Sequence, residues 1–373
     1  MKILHLITGL STGGAEIMLY KLVSKMDRDE FEIQIISLTD IGPIGEKIHD
    51  LGIPVRSLGM KRGIPDPYML LKLTKCLRRY APDIIQTWMY HADLVGGLAA
   101  KLDGKFPVVW GIRHSNLDSE GNKRSTVWTA KICAKLSRWL PVKIVCCSEA
   151  SRRVHTALGY DPERMVVIPN GFDLNLFKPD LEGGTLVRQE LGIPEDTILI
   201  GMAGRFDPQK DHRNFIKAAA LLQKEIRDVQ FLLCGDDITW ENKKLSKWID
   251  GTGLHSYFNL LGRRNDIPRI MNALDIASSS SYGEGFPNVV GEAMVCGVPC
   301  VVTDVGDSAI IVGNKGFVVP PRDPQALANA LEGMVRLGKE KRTKLGMEAR
   351  KRITENYSLE KIVSQYEKIY ESL

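Results

Sequence analysis

Short apolar runs alternate with longer amphipathic stretches along the chain. Lys2 to Thr8, Phe31 to Ser37, Pro82 to Thr87, Val108 to Ile112, Lys143 to Cys147 and Met165 to Ile168 each read as a buried strand, and Gly52-Ile53-Pro54-Val55 leads into one more. Between them lie helical stretches: one ending near Lys25, then Tyr68 to Tyr80, Arg124 to Leu140, and one starting at Ser148-Glu149. Lys178 to Pro194 is polar and rich in Gly and Pro, and is placed as a linker. The alternation then restarts with Ile198 to Ala203, Val229 to Gly235, Leu274 to Ser278, Val298 to Thr303 and Gly316 to Val319, and closes on an amphipathic segment from Leu359 to Leu373. Strands alternating with helices predict parallel sheets, here in two α/β domains over 1–180 and 190–358.

The turns after these strands hold the candidate chemistry. Leu274 to Ser278 runs through a Ser-rich turn into Gly283-Glu284-Gly285-Phe286-Pro287-Asn288. A helix is predicted from Val289 to Cys296, with Asn288 as N-cap, Gly297 as its stop and Pro299 just beyond. A helix start behind a Gly-rich turn attracts phosphate. Glu284 precedes that helix and Glu292 lies about one turn into it, roughly 6 Å deeper at about 1.5 Å per residue. A diphosphate docked on the helix end would sit between two carboxylates, each able to accept from paired hydroxyls. Either Glu alone reads as a loop or solvated-face residue; the pair with its turn favours a site.

Gly204-Arg205-Phe206-Asp207-Pro208-Gln209-Lys210 places two cations in one strand-end turn, suited to a leaving diphosphate or simply solvated. Gly9 to Glu16 is a further strand-turn-helix junction whose Gly13-Gly14 lets backbone approach a ligand, without the spacing of a dinucleotide site or a P-loop. Arg113-His114 ends the Val108 strand: His114 is a candidate hydrogen-bonding group, and Arg113 faces either phosphate or solvent. Trp88, Tyr90, His91 and Asp93 follow another strand end, where open α/β sheets place ligands, and read either as acceptor contacts or as ordinary helix-start residues. On the Arg124–Leu140 helix, Trp128, Ile132, Leu136 and Trp139 share one face and Lys131, Lys135 and Arg138 another. The preferred reading packs the first face on the sheet; the sharper one is a membrane-surface helix.

The chain has 373 residues, 44% hydrophobic and 25% charged, as in globular proteins. Seven cysteines include no CxxC pair, and are expected to be reduced thiols of a cytoplasmic protein. The start runs directly into a strand, too short for a signal peptide, and no apolar run reaches membrane-span length. Net charge is +5, but Lys61 to Lys143 holds fifteen Lys/Arg against six Asp/Glu, leaving the remainder net acidic. That region suggests an anionic partner, or only a solvated surface. A membrane surface is carried forward as the possible partner, peripheral at the inner face of the cytoplasmic membrane; nucleic acid is not expected.

Glu284 and Glu292 stand in an E-x7-E spacing that resembles the motif of retaining GT-B glycosyltransferases, in particular glycosyltransferase family 4, the "glycosyl transferases group 1" type. The resemblance spans nearly the whole chain, most closely from Arg205 to Asp307 and least from Gly42 to Tyr80. It implies two Rossmann-like parallel-sheet domains facing a cleft, with the last helix returning to the first domain. It assigns Glu284 to the donor sugar and Glu292 to the ribose, within a donor turn that includes Phe286, Pro287, Asn288 and Val289. Gly204-Arg205 and Lys210 match the family's GR-x4-K element, whose cations bind donor phosphates. Gly13 and Gly14 match its GGAE-type turn near the donor phosphate, and Pro169-Asn170-Gly171-Phe172-Asp173 its PNG-D segment. His114 resembles its strand-end His near the donor sugar, and Gly262 and Arg263 its nucleotide-base segment.

The implied reaction moves a hexose or N-acetylhexosamine from a nucleotide-diphosphate-sugar, UDP favoured over GDP, to a hydroxyl of a glycan or lipid-linked acceptor, with retention. A front-face route is preferred to a covalent intermediate on Glu284, because no well-placed nucleophile stands out. Metal independence is expected, since the only DxD, Asp27-Arg28-Asp29, reads as solvated charges; no cofactor is expected. A nucleotide-sugar epimerase and a non-catalytic nucleotide-binding protein remain as alternatives.

Overall fold

The computed structural model describes residues 1–60, 67–104, 106–117 and 123–373. Lys61, Arg62 and Lys105 of the basic region, with residues 118–122, lie outside the described residues. The chain divides into two compact units, Met1–Gly171 with Leu359–Leu373, and Phe172–Ser358.

In the first unit, strands β1 (Lys2–Ile7), β2 (Glu32–Ser37), β3 (Val55–Ser57), β4 (Ile84–Trp88), β5 (Val108–Ile112), β6 (Lys143–Cys146) and β7 (Met165–Val167) form a parallel sheet ordered β3-β2-β1-β4-β5-β6-β7. Most central positions are apolar and buried, as a sheet covered on both faces requires. Helices α1 (Gly14–Lys25) and α2 (Gly42–Asp50) share one core with Ile3, Ile7, Ile33 and Ile35. Helices α3 (Pro67–Tyr80), α4 (Tyr90–Asp103) and α5 (Arg124–Leu136) share the other core with Leu4, Leu6, Ile85 and Trp110. Helix α6 (Glu149–Leu158) starts on Ser148, whose Oγ accepts from Ser151 N.

In the second unit, strands β8 (Ile198–Ala203), β9 (Val229–Cys234), β10 (Phe258–Leu260), β11 (Ile276–Ser279), β12 (Cys300–Thr303) and β13 (Gly316–Val319) form a parallel sheet ordered β10-β9-β8-β11-β12-β13. Its helices are α7 (Leu181–Glu190), α8 (His212–Glu225), α9 (Lys243–Asp250), α10 (Ile267–Ala273), α11 (Asn288–Val295), α12 (Ser308–Val312), α13 (Pro324–Arg336) and α14 (Gly338–Tyr357). Helices α8, α9 and α13 pack Phe215, Leu245 and Leu331 into one core with Phe231 of β9. The last helix, α15 (Leu359–Glu371), belongs to the first unit, where Ile362, Val363, Tyr366 and Tyr370 are buried in the α1 and α2 core. Tyr370 Oη donates to Gln86 Oε1 at 3.2 Å, tying α15 to β4.

Two local expectations change. The stretch from Lys178 to Pro194 is not an extended linker, and the division between units falls at Gly171–Phe172 instead. Asp180 Oδ1 accepts from Gly183 N at 2.9 Å and starts α7. Gly184 lies where a Cβ would meet the Asn272 carbonyl at 2.3 Å, so the Gly-Gly pair that resembles a loop lets α7 approach α10. Helix α5 buries only part of the preferred side: Leu136 packs on the core, but Thr129, Ala130, Cys133 and Ala134 supply the buried face, while Trp128 and Trp139 are 68% and 66% exposed. Small side chains let this helix lie close to α4.

Candidate functional site

In the second unit the strand order reverses between β8 and β11. Loops leaving the carboxyl ends of two adjacent strands in opposite directions open a crevice there, the usual ligand position in such sheets. The β8 loop carries Gly204 to Lys210 and the β11 loop carries Ser280 to Glu284.

Hydrogen bonds stitch these loops together. Ser280 Oγ donates to the Lys210 and Asp211 carbonyls at 3.0 and 2.9 Å, and Tyr282 N donates to the Gln209 carbonyl at 2.9 Å. The pairing brings Lys210 Nζ to 2.5 Å from Glu284 Oε1, with both side chains largely shielded. Ser281 Oγ donates to the same carboxylate oxygen at 2.7 Å. The Lys210 stem runs past Gly204, whose absent Cβ would be 3.5 Å from it. Asp211 turns the chain in left-handed backbone, φ +49°, and its carboxylate accepts from Asn214 N to start α8. Beneath this corner, burial and then the Lys210 charge push His212 down to about 4, so it is neutral at physiological pH.

The turn after Glu284 is clamped from behind. Gly306, φ +58°, lies where a Cβ would meet the Glu284 carbonyl at 2.4 Å, and Asp307 N donates to the Gly285 carbonyl at 3.1 Å. Phe286 is buried against Phe172 and Tyr357, with ring centroids 6.0 and 5.9 Å away. Gly291 leaves room for Phe172, whose ring would be 2.0 Å from an added Cβ. Helix α11 starts one residue earlier than expected: Asn288 is its first helical residue, and Pro287 is the cap and supplies no side-chain acceptor. The proline fixes its own φ, which sets the entry into the helix before Asn288 can act as cap. Val289 and Glu292 follow on the first two turns, both half-buried. Burial and then the Glu292 charge push the Cys296 thiol up to about 12.

Arg205 and Arg263 stand at the rim of the same sheet edge. Arg205 Nη2 lies 3.0 Å from Asp207 Oδ2, and Arg263 Nε 3.6 Å from Asp236 Oδ1; their side chains are exposed. Gly262, φ +62°, accepts from Gly235 N at 2.9 Å, bringing the β9 and β10 loops together. The β8 and β9 loops meet as closely, since a Cβ on Gly235 would be 2.1 Å from the Gly204 carbonyl. Thus Gly204, Arg205, Lys210, Gly262, Arg263, Glu284, Phe286, Pro287, Asn288, Val289 and Glu292 all fall on loops or first helical turns at one edge of this sheet.

The first unit has its own strand-order reversal, between β1 and β4. Gly13 caps α1 in extended backbone, φ −156°, and Gly14 opens the helix exposed. His114 follows β5, half-buried, and its carbonyl accepts from Ser151 Oγ at 2.8 Å. Arg113 is half-buried rather than solvated: it donates to Tyr366 Oη at 3.2 Å and to Asn170 Oδ1, and its guanidinium lies 5.1 Å from the Trp88 ring centre. Most of the polar-aromatic loop is structural as well. Trp88 is fully buried and donates from Nε1 to His5 Nδ1 at 3.2 Å, and Tyr90 Oη lies 2.7 Å from His155 Nε2. Asp93 accepts from Thr87 Oγ1 at 2.6 Å and Gly111 N at 3.2 Å, and burial raises its carboxyl to about 8. Only His91 keeps partial exposure.

Sequence reasoning passed over Ser281, Thr303 and Gly306. Thr303 Oγ1 donates to the Ser281 carbonyl at 2.6 Å and so fixes the residue that holds Glu284. A Thr ending a strand one register away leaves no local signal.

Residues 12–176 match the family "Glycosyltransferase Family 4" and residues 185–352 the family "Glycosyl transferases group 1". An Escherichia coli UDP-Gal:alpha-D-GlcNAc-diphosphoundecaprenol alpha-1,3-galactosyltransferase is 29% identical over 82% of this chain and 80% of its own. A Campylobacter jejuni N,N'-diacetylbacillosaminyl-diphospho-undecaprenol alpha-1,3-N-acetylgalactosaminyltransferase is 26% identical over 87% and 83%. The crystal structure of Anabaena HepE in complex with UDP superposes with a TM-score of 0.88 at 26% identity, covering 100% of both chains. Two parallel sheets, each with its own helix layers, place the molecule in the GT-B class of Rossmann-like proteins. The chain belongs to glycosyltransferase family 4.

Proposed function

We propose that the chain transfers a hexose or N-acetylhexosamine, with retention and without a metal, from a UDP-sugar to a hydroxyl of a lipid-linked or glycan acceptor in surface polysaccharide or glycolipid assembly. The observation that carries this reading is the Lys210–Glu284 corner at the β8/β11 reversal. Bound donor diphosphate draws Lys210 and Arg205 as counter-charges and rests on the first turn of α11. Glu284 is then freed to accept from sugar hydroxyls, and Glu292 from the ribose. The two cations neutralise the departing diphosphate, which takes the acceptor proton as the new glycosidic bond forms on the face it leaves. The first unit receives the acceptor, with His114 a hydrogen-bond donor to the sugar and the Gly13-Gly14 turn a backbone contact for phosphate.

UDP is preferred because UDP and UDP-glucose occupy the HepE structures. A lipid-diphosphate acceptor is preferred because both relatives are named for one. The test is transfer from radiolabelled UDP-hexoses, UDP-N-acetylhexosamines and GDP-mannose to a polyprenyl-diphosphate-linked monosaccharide in EDTA. The anomeric configuration of the product is then read by NMR. An α-linked product from an α-linked UDP-sugar is expected. Inversion would overturn retention, loss of activity in EDTA that returns with added metal would overturn metal independence, and donor isomerisation without transfer would overturn the reaction itself.

A further inference from the structure

Helices α3, α4 and α5 lie side by side over one face of the first sheet, sharing a single core. Their outer surface differs from the rest of the unit. Every large hydrophobic residue of the described first unit that is more than half exposed belongs to this layer or to the turn closing α5: Tyr68 at 68%, Leu71 at 58%, Leu102 at 61%, Trp128 at 68% and Trp139 at 66%.

The charges around these side chains are of one sign. Lys75, Arg79, Lys101, Arg124, Lys131, Lys135 and Arg138 are exposed on the same layer and its closing turn. The three helices contain only two acids. Asp93 is buried, and Asp103 is shielded and paired with Arg78 at 2.5 Å. Among the described residues of these three helices, no exposed carboxylate therefore balances the lysines.

We propose that this face of the first unit binds an anionic lipid bilayer, with Trp128 and Trp139 entering the headgroup region and Lys131 and Lys135 pairing with lipid phosphates. Aromatic rings with one apolar and one polar edge settle at the headgroup level, and Lys and Arg beside them reach phosphate while their stems stay in the apolar layer. The combination separates a bilayer from a protein partner, because protein interfaces are poor in Lys at their centre. The apolar edge also separates it from nucleic acid, for which exposed Leu71 and Leu102 have no use. Among the described residues no helix is long and apolar enough to cross a membrane, so attachment would be to the surface.

Co-sedimentation of the full chain with phosphatidylcholine vesicles, with and without phosphatidylglycerol, tests the proposal without any assay of transfer. The chain is expected to pellet only with the anionic vesicles at low salt, and to be released as salt screens the lysines. W128A/W139A and K131E/K135E are each expected to lower the partition coefficient by about tenfold or more. All four side chains point outward, so thermal midpoints should stay close to wild type and loss of binding is not loss of fold. Failure of the wild type to pellet at low salt overturns the proposal, as does pelleting of either variant like wild type. Self-association of the wild type that W128A/W139A abolishes, with no vesicle binding, assigns the face to a second copy and overturns it as well.

Discussion

Lys210 Nζ sits 2.5 Å from Glu284 Oε1, a contact made across 74 residues by loops from two neighbouring strands. This contact holds the proposed phosphate cation and the proposed sugar carboxylate against one another. Donor binding must exchange this ion pair for two ligand contacts, so the residues act as a unit. E284A is expected to cut kcat by about 10²-fold or more, the scale of losing one positioned polar group at a transition state. K210A is expected to raise the donor KM as well as lower kcat. The double variant should lose less than the product of the two single losses, because residues in contact are not additive. Steady-state kinetics on the three variants provide the check; full activity in E284A would remove Glu284 from the site.

The parts of this molecule legible in the sequence were those with local periodicity or a compact motif. The strands β1, β5, β8 and β12 announce themselves as apolar runs, and Gly204-Arg205-Lys210 and Glu284 with Glu292 carry their spacing openly. What escaped was set by partners distant in sequence. Gly183-Gly184 resembles a linker until α10 is known to lie against it. Arg113 reads as a strand-end cation facing phosphate or solvent, and nothing local shows that Tyr366, from the far end of the chain, accepts its hydrogen bond. Trp128 and Trp139 look like core because their helical spacing is regular, and only the small residues beside them reveal which side is buried. Thr87, Asp93 and Gly111 form a buried hydrogen-bonded cluster that no spacing rule exposes.

Glu292 lies on α11 one turn past the clamped loop, half-buried and close enough to Cys296 for its charge to raise that thiol. If it reads ribose, its loss should weaken ground-state and transition-state binding alike. E292A is expected to raise the Kd for UDP by about tenfold, consistent with removing charge-assisted hydrogen bonds, while kcat at saturating donor changes little. Calorimetric titration with UDP and kinetics at saturation check both halves. Conversely, a kcat loss with unchanged UDP affinity would give Glu292 a role on the sugar side.

The first unit's buried groups predict its stability against pH. Burial pushes His5 down to about 3 and His155 to about 4. Unfolded, both take protons near pH 6.5, so below that value the unfolded chain binds more protons and stability falls as pH drops. Asp93, raised to about 8, works the other way. It keeps its proton in the fold where the unfolded chain has lost it, so its contribution falls as pH rises from about 4 to 8. Below pH 6.5 the two histidines outweigh it; above, only Asp93 remains of the three. D93N should therefore stay level between pH 6.5 and 8 where wild type declines, the difference growing by up to about 1.4 kcal/mol per pH unit. Urea denaturation followed by first-unit amide exchange at pH 5, 6.5 and 8 gives the comparison; equal slopes above pH 6.5 would show that Asp93 is ionised in the fold.

Arg322 occupies left-handed backbone, φ +60°, in the turn between β13 and α13, and its guanidinium lies 4.1 Å from the centre of the Tyr282 ring. Tyr282 is two residues ahead of Glu284 and donates from its N–H to the Lys210 loop. A non-glycine residue in this conformation costs about 1 kcal/mol or more, and an exposed cation over a ring returns about 0.5–1 kcal/mol. The two effects separate by substitution. R322A keeps the backbone cost and loses the stack, so it should be the least stable variant. R322G loses both and should match or exceed wild type, while R322K keeps most of each. Activity should follow another order if the stack steadies the Glu284 loop: wild type, then R322K, then R322A and R322G together, with the loss in donor KM. Thermal midpoints set beside kinetics decide the matter, since a purely structural Arg322 requires R322G to be as active as it is stable.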